Sequence, residues 1–249
     1  MQPDGRHSKF IVFMGFEDRD YARASFARRP SAFAGMRMWS VTTWLIAINV
    51  AVYVLNLLSD DAIAGWGAFI VGQVIYGYQV WRFITFQFLH ANASHLIFNM
   101  FSLYFFGPMI EGYLGPRRYL AFYLLCGTSG AVLFLAFWRL SMMHVETGAS
   151  LIGASAGIFG VLIAAARIAP NTTVMLLFPP IPIQLKVLAW IMLGIAVLTV
   201  WQSGHNAGGE AAHLGGAALG ALLISQPKLL DVFDFSSARR NKRRNFNDW

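Results

Sequence analysis

Ser155, in the run GASAGIFG from Gly153 to Gly160, is a hydroxyl at the head of an apolar stretch with little side-chain bulk around it. A serine hydroxyl is a weak nucleophile until a base takes its proton, and histidine is the usual base. Of the six histidines, His7 lies in the N-terminal arm, and His144 and His205 fall in loops. His213 opens HLGGAALGALL, in which Gly216 and Gly220 are spaced for close helix approach. Packed against the small face beginning at Ser155, that segment would carry an imidazole to the hydroxyl. Two plainer readings stand beside this one. The small residues can serve tight helix packing alone, and His213 can be a polar helix-end residue bonded to a neighbour.

His90, His95 and Asn99 share the segment HANASHLIFN. His95 and Asn99, four residues apart, lie on one helix face about one turn in from its end. Two donors there, with the backbone N–H of Ser155 at a helix N-terminus, could hold a negatively charged oxygen. Asn99 as interhelical glue is the alternative, since a polar side chain inside a membrane needs a partner either way. Paired histidines also raise the question of metal. His90 and His95 are five apart with no carboxylate nearby and no cysteine pattern, so neither a metal nor another cofactor is expected.

Composition names the medium in which these groups must be positioned. With 57% hydrophobic and 12% charged residues, the chain is far below the roughly 25% charge of a soluble domain. An all-α polytopic membrane protein is expected. The first span is predicted over 41–58, followed by an interfacial or partly inserted stretch, 59–94, rich in Gly and Trp. Further spans are predicted over 95–113, 119–138, 155–168 and 183–201, with a sixth from Ala211 to just before Pro227. Residues 1–38 read as an arm with no signal peptide, 39–227 as the membrane domain, and 228–249 as a basic tail. Cys126 is the only cysteine, so there is no disulfide framework.

Charge sets the orientation. Seventeen of the nineteen Lys and Arg residues fall in the arm, the loop at Arg117 and Arg118, the segment with Arg167 and Lys186, and the tail. Only Arg82 and Arg139 fall on the other side, so both termini are expected in the cytoplasm. This distribution reads as membrane orientation, and no nucleic-acid partner is expected. His95, Ser155 and His213 then head three parallel spans near the outer face. The span from Ser155 is only about 21 Å long, against a hydrocarbon core of about 30 Å, which recesses the serine below the outer surface. Irregular backbone before it, from Thr147 to Ala154, must line a protein or water-filled cavity.

Taken together, Trp81-Arg82, HxxxxHxxxN ending at Asn99, Glu111, GASAG around Ser155 and AAHLGGAALG around His213 resemble the rhomboid family of intramembrane serine proteases. The likeness covers about residues 40–226, with the motifs in the right order on the right spans. It implies a six-transmembrane-helix bundle in which Ser155 is nucleophile and His213 general base, a dyad without an aspartate. His95, Asn99 and the Ser155 amide would form the oxyanion hole. Gly153 would hold the loop before the nucleophile and His90 would support the site. Trp81, Arg82 and Glu111 would be structural. Two positions depart from the family pattern: Ala156 stands where glycine is frequent, and Phe159 where a tyrosine often packs on the base. A phenyl ring still stacks on imidazole.

The resemblance implies hydrolysis of peptide bonds in or near transmembrane segments, with single-pass membrane proteins as substrates, lipid as surroundings and no metal. Such substrates should carry helix-weakening residues, because a regular helix hides its carbonyls in hydrogen bonds. A bacterial inner membrane is the expected location. A transporter would call for inverted repeats or mid-span acids, and neither is found. A non-enzymatic relative that binds helices without cutting them would be expected to lack the serine or the histidine, and both are present.

Overall fold

The computed structural model describes residues 39–142, 148–176, 180–204 and 206–234. The arm 1–38, residues 143–147 and 177–179, His205 and the tail from 235 lie outside the described residues, and with them the expectations placed on His7, His144, Thr147 and His205. The described residues from Ser40 to Asp234 belong to one compact unit. It is built on helices, and four of the described ones are long and apolar enough to cross a membrane.

Helix α1 (Val41–Leu58) starts at Ser40, whose side chain accepts from the Thr43 N–H. The first loop then folds into short pieces: α2 (Ala62–Gly67), strand β1 (Phe69–Ile70), α3 (Val71–Ile75), α4 (Arg82–Thr85) and a single 3-10 turn, Phe86–Phe88. Helix α5 (Ala93–Leu114) is capped by Asn92, which accepts from the His95 N–H at 2.9 Å. Helix α6 (Pro116–Arg139) begins with proline at its first position, where no N–H is needed. Strand β2 (Ser150–Leu151) precedes α7 (Ser155–Ile168). A hairpin of β3 (Thr173–Met175) and β4 (Pro182–Gln184) leads into α8 (Leu185–Trp201) and α9 (Ala207–Ser225). Helices α7 and α8 are apolar but shorter than the other four.

Helix α9 packs most extensively on α6 and α7, α7 packs on α6, and α5 lies against α1 and α7. The core is filled by Tyr119, Phe122, Tyr123 and Cys126 of α6, Leu103 and Ile110 of α5, and Val161, Ala164 and Ala165 of α7. The α7/α9 contact is backbone on backbone. A Cβ at Gly216 would fall on the Ala156 carbonyl, and one at Gly220 would lie 2.6 Å from the Gly160 Cα. In hydrocarbon, where apolar side chains gain little by leaving lipid, such close approach is what holds helices together. By contrast α8 turns Trp190, Ile191, Ile195, Leu198 and Trp201 outward.

Two features differ from the sequence reading. The last helix begins at Ala207 instead of Ala211, which places His213 nearly two turns inside it. Past Pro227 the chain does not become tail at once: a 3-10 segment, Pro227–Phe233, buries Leu230 completely, and Asp231 meets Arg118 at 3.1 Å.

Candidate active site

Ser155 is the first residue of α7, and the backbone before it is held from two sides. Strand β2 pairs antiparallel with β1, Phe69 opposite Leu151 and Ile70 opposite Ser150, which ties this segment to the first loop. The Gly153 N–H donates to the Phe86 carbonyl at 2.9 Å. Gly153 has φ +129°, a region that side chains rarely adopt, and a Cβ there would stand 2.8 Å from the His95 ring. His95 and the Ser155 segment therefore meet at a position only glycine fills.

His213 comes to the serine from α9. Its Nε2 lies 2.8 Å from Ser155 Oγ across the glycine-lined contact between the two helices. The Phe159 ring, one turn into α7, stacks on the imidazole with centroids 4.1 Å apart and planes 8° from parallel. The other imidazole nitrogen is engaged as well: Nδ1 lies 2.8 Å from Glu210 Oε2, one turn earlier on α9. Serine, imidazole and carboxylate thus form one line of hydrogen bonds. Both His213 and Glu210 are largely but not wholly enclosed, their side chains 14% and 17% exposed.

The sequence reading omitted Glu210. It is the one acid in GGEAAHLGG, and its spacing of three from His213 was the available signal, visible only once α9 extends back through Gly208 and Gly209.

His95 and Asn99 lie one turn apart on α5. Asn99 is buried, and its Nδ2 has no hydrogen-bond partner among the described residues. A buried amide donor left open in this way is rare enough to require a reason. His90 is buried edge-on to His95, with ring centroids 5.1 Å apart. Burial, and secondarily the neighbouring His95, pulls the His90 imidazole down to about 4. It is a neutral ring at ordinary pH.

The remaining singled-out residues lie away from this line. The Trp81 indole donates to the Trp66 carbonyl at 3.2 Å and stacks on its ring. Arg82, 4% exposed, donates to Gln79 Oε1, to the Gly65 carbonyl and to the Ala68 carbonyl, so one guanidinium fastens three parts of the first loop. Glu111, near the other end of α5, accepts from the Val41 and Thr42 N–H groups at 2.7 and 2.9 Å and from the Thr42 hydroxyl. It caps α1, where the helix dipole favours an anion. Among the described residues no three His, Cys, Asp or Glu side chains converge in a way that could hold a metal ion.

The sequence that builds this helical bundle, with its helix-initial serine beside a histidine of the last long helix, has known relatives. The model of the Rhomboid domain matches residues 77–225, and the chain belongs to the rhomboid family. It is 29% identical over 219 residues to the rhomboid protease AarA of Providencia stuartii, covering 80% of this chain and 76% of that one. It is 32% identical over 139 residues to YdcA of Bacillus subtilis (strain 168), covering 55% and 67%. It is 30% identical over 171 residues to RHOMBOID-like protein 7 of Arabidopsis thaliana, covering 68% of this chain and 51% of the plant protein. With its apolar helices, this makes it an integral membrane protein.

Proposed function

We propose that this protein is an intramembrane serine endopeptidase that cuts membrane proteins in or near their transmembrane segments through Ser155 and His213. The observation that carries the reading is the 2.8 Å contact between Ser155 Oγ and His213 Nε2 at one end of two tightly apposed helices, in a chain whose family includes proteins named proteases. The Ser155 hydroxyl attacks the scissile carbonyl while His213 Nε2 takes its proton. The tetrahedral oxyanion is held by the Ser155 N–H, Asn99 Nδ2 and the His95 ring. His213 then returns the proton to the leaving amine, and water repeats the attack on the acyl-enzyme. Asn99 supports this assignment because its buried amide hydrogens have no other acceptor among the described residues. No metal or other cofactor enters the scheme.

The membrane placement belongs to the same proposal. Helices α1, α5, α6, α7, α8 and α9 are the six spans, residues 39–227 the catalytic domain, and 1–38 and 228–249 cytoplasmic ends. Substrates are single-pass proteins, and the compartment is a bacterial inner membrane. Helix α7, fourteen residues long, spans about 21 Å of a core about 30 Å thick, so its first turn sits below the outer surface. Outward-facing Trp and Ile residues on α8 suit contact with lipid or an entering substrate helix.

A serine-directed fluorophosphonate tests the reading directly. Purified protein in detergent should be labelled, and Ser155→Ala and His213→Ala should each abolish labelling together with cleavage of tagged single-span proteins. Undiminished labelling of Ser155→Ala would remove Ser155 as nucleophile.

A further inference from the structure

Nothing in a serine–histidine pair requires a third group, yet here the far side of the imidazole is occupied. Glu210 Oε2 lies 2.8 Å from His213 Nδ1, on the same face of α9 one turn toward its start. The ring itself is fixed by Phe159, nearly parallel at 4.1 Å, so the imidazole plane is set by stacking and its rotation by the two hydrogen bonds. A carboxylate can only accept. A bond between it and Nδ1 therefore places the ring proton on Nδ1 and leaves the Nε2 lone pair facing Ser155 Oγ, the tautomer in which histidine acts as a base.

We propose that Glu210 is a positioning residue that completes a Ser155–His213–Glu210 triad, holding His213 in its reactive tautomer and balancing the positive charge that develops on the ring. This rests on the catalytic pair proposed above. In the acylation step the Oγ–H bond breaks and its proton moves to Nε2 while Oγ bonds to the substrate carbonyl carbon. The imidazolium so formed donates from Nδ1 to the Glu210 carboxylate, and the Nε2 proton passes to the leaving amine as the C–N bond breaks. Glu210 neither gains nor loses a proton over the cycle.

A purely structural role is the competing explanation, since an acid in the first turn of a helix also complements the dipole. The two separate by experiment. Wild type, Glu210→Gln, Glu210→Ala and Glu210→Asp are compared in detergent for kcat and KM on a tagged single-span substrate, for the fluorophosphonate labelling rate, and for thermal unfolding. Ser155→Ala and His213→Ala run in parallel. The triad predicts that Gln and Ala lower kcat and labelling rate by about 10²-fold. It also predicts that KM and Tm stay close to wild type and that Asp recovers a substantial part of the rate. Gln should not rescue, because its amide can donate to Nδ1 and favour the wrong tautomer. Full kcat in Glu210→Gln and Glu210→Ala, with both parallel variants inactive, overturns the triad and leaves the pair standing. A rate loss matched by an equal loss of folded protein in all three Glu210 variants, Asp included, also overturns it. Activity surviving in Ser155→Ala would instead bring down the pair itself.

Discussion

Asn99 carries a buried donor with no acceptor among the described residues. Such a group is costly to hold unless something enters to use it. If the oxyanion is what uses it, the interaction exists only at the transition state, and its loss should fall on kcat rather than on KM. Asn99→Ala should therefore slow turnover by about 10²-fold or more, from roughly 3 kcal/mol for one oxyanion donor, while folding survives. Steady-state kinetics beside a melting curve make the comparison, and unchanged kcat would take Asn99 out of the hole. The contact between Ser155 and His213 was legible in the sequence because small residues around both advertised an approach close enough for a hydrogen bond. Glu210 was not. Its relation to His213 depends on helical backbone through Gly208 and Gly209, which propensity argues against. Packing overrides that preference: Ala211 is fully buried, and a Cβ at Gly208 would run into the Phe134 ring.

Between helices, the distance from serine to histidine is set by what lies below them. Gly216 rests on the Ala156 backbone and Gly220 on Gly160, so the next two turns of α7 and α9 touch directly. Backbone cannot swing aside as a side chain can. Gly216→Val should part the helices, cost about 3 kcal/mol or more, and abolish labelling even where the protein still inserts. Gly194→Ala on α8, where a Cβ meets nothing within 4 Å, is the control and should leave both stability and labelling intact. Loss of labelling in the control would point to bilayer insertion as the sensitive step. The sequence reading found this seam from its glycine spacing, and its apolar stretches coincide with four helices long enough to cross a membrane and two shorter ones, the start of the last being missed by one turn. The first loop was harder. Read as an interfacial stretch, it is a set of short helices knotted by Arg82. Those bonds go to backbone carbonyls, and a sequence does not show which carbonyls a guanidinium will find.

For the molecule as a whole, the proposed orientation follows from where its positive charge lies. Arg117 and Arg118 in the first turn of α6, Arg167 in the last turn of α7 and Lys186 in the first turn of α8 sit at the ends opposite Ser155, in keeping with the basic arm and tail. A fluorescent protein that matures only in the cytoplasm should therefore glow when fused at either terminus, and alkaline phosphatase, active only outside, should stay silent at both. Phosphatase activity at one end would break the six-span arrangement while leaving the local geometry of the site untouched. The chain also delivers its reacting parts in a fixed order. The alcohol on α7 is synthesised 58 positions ahead of the imidazole on α9, with α8 and a hairpin between them. On the proposed mechanism, a half-inserted polypeptide would hold the alcohol without the His213 imidazole that activates it, harmless to whatever other nascent helices share the insertion machinery. Proteolytic competence would arrive in one step, when the final helix leaves that machinery and docks.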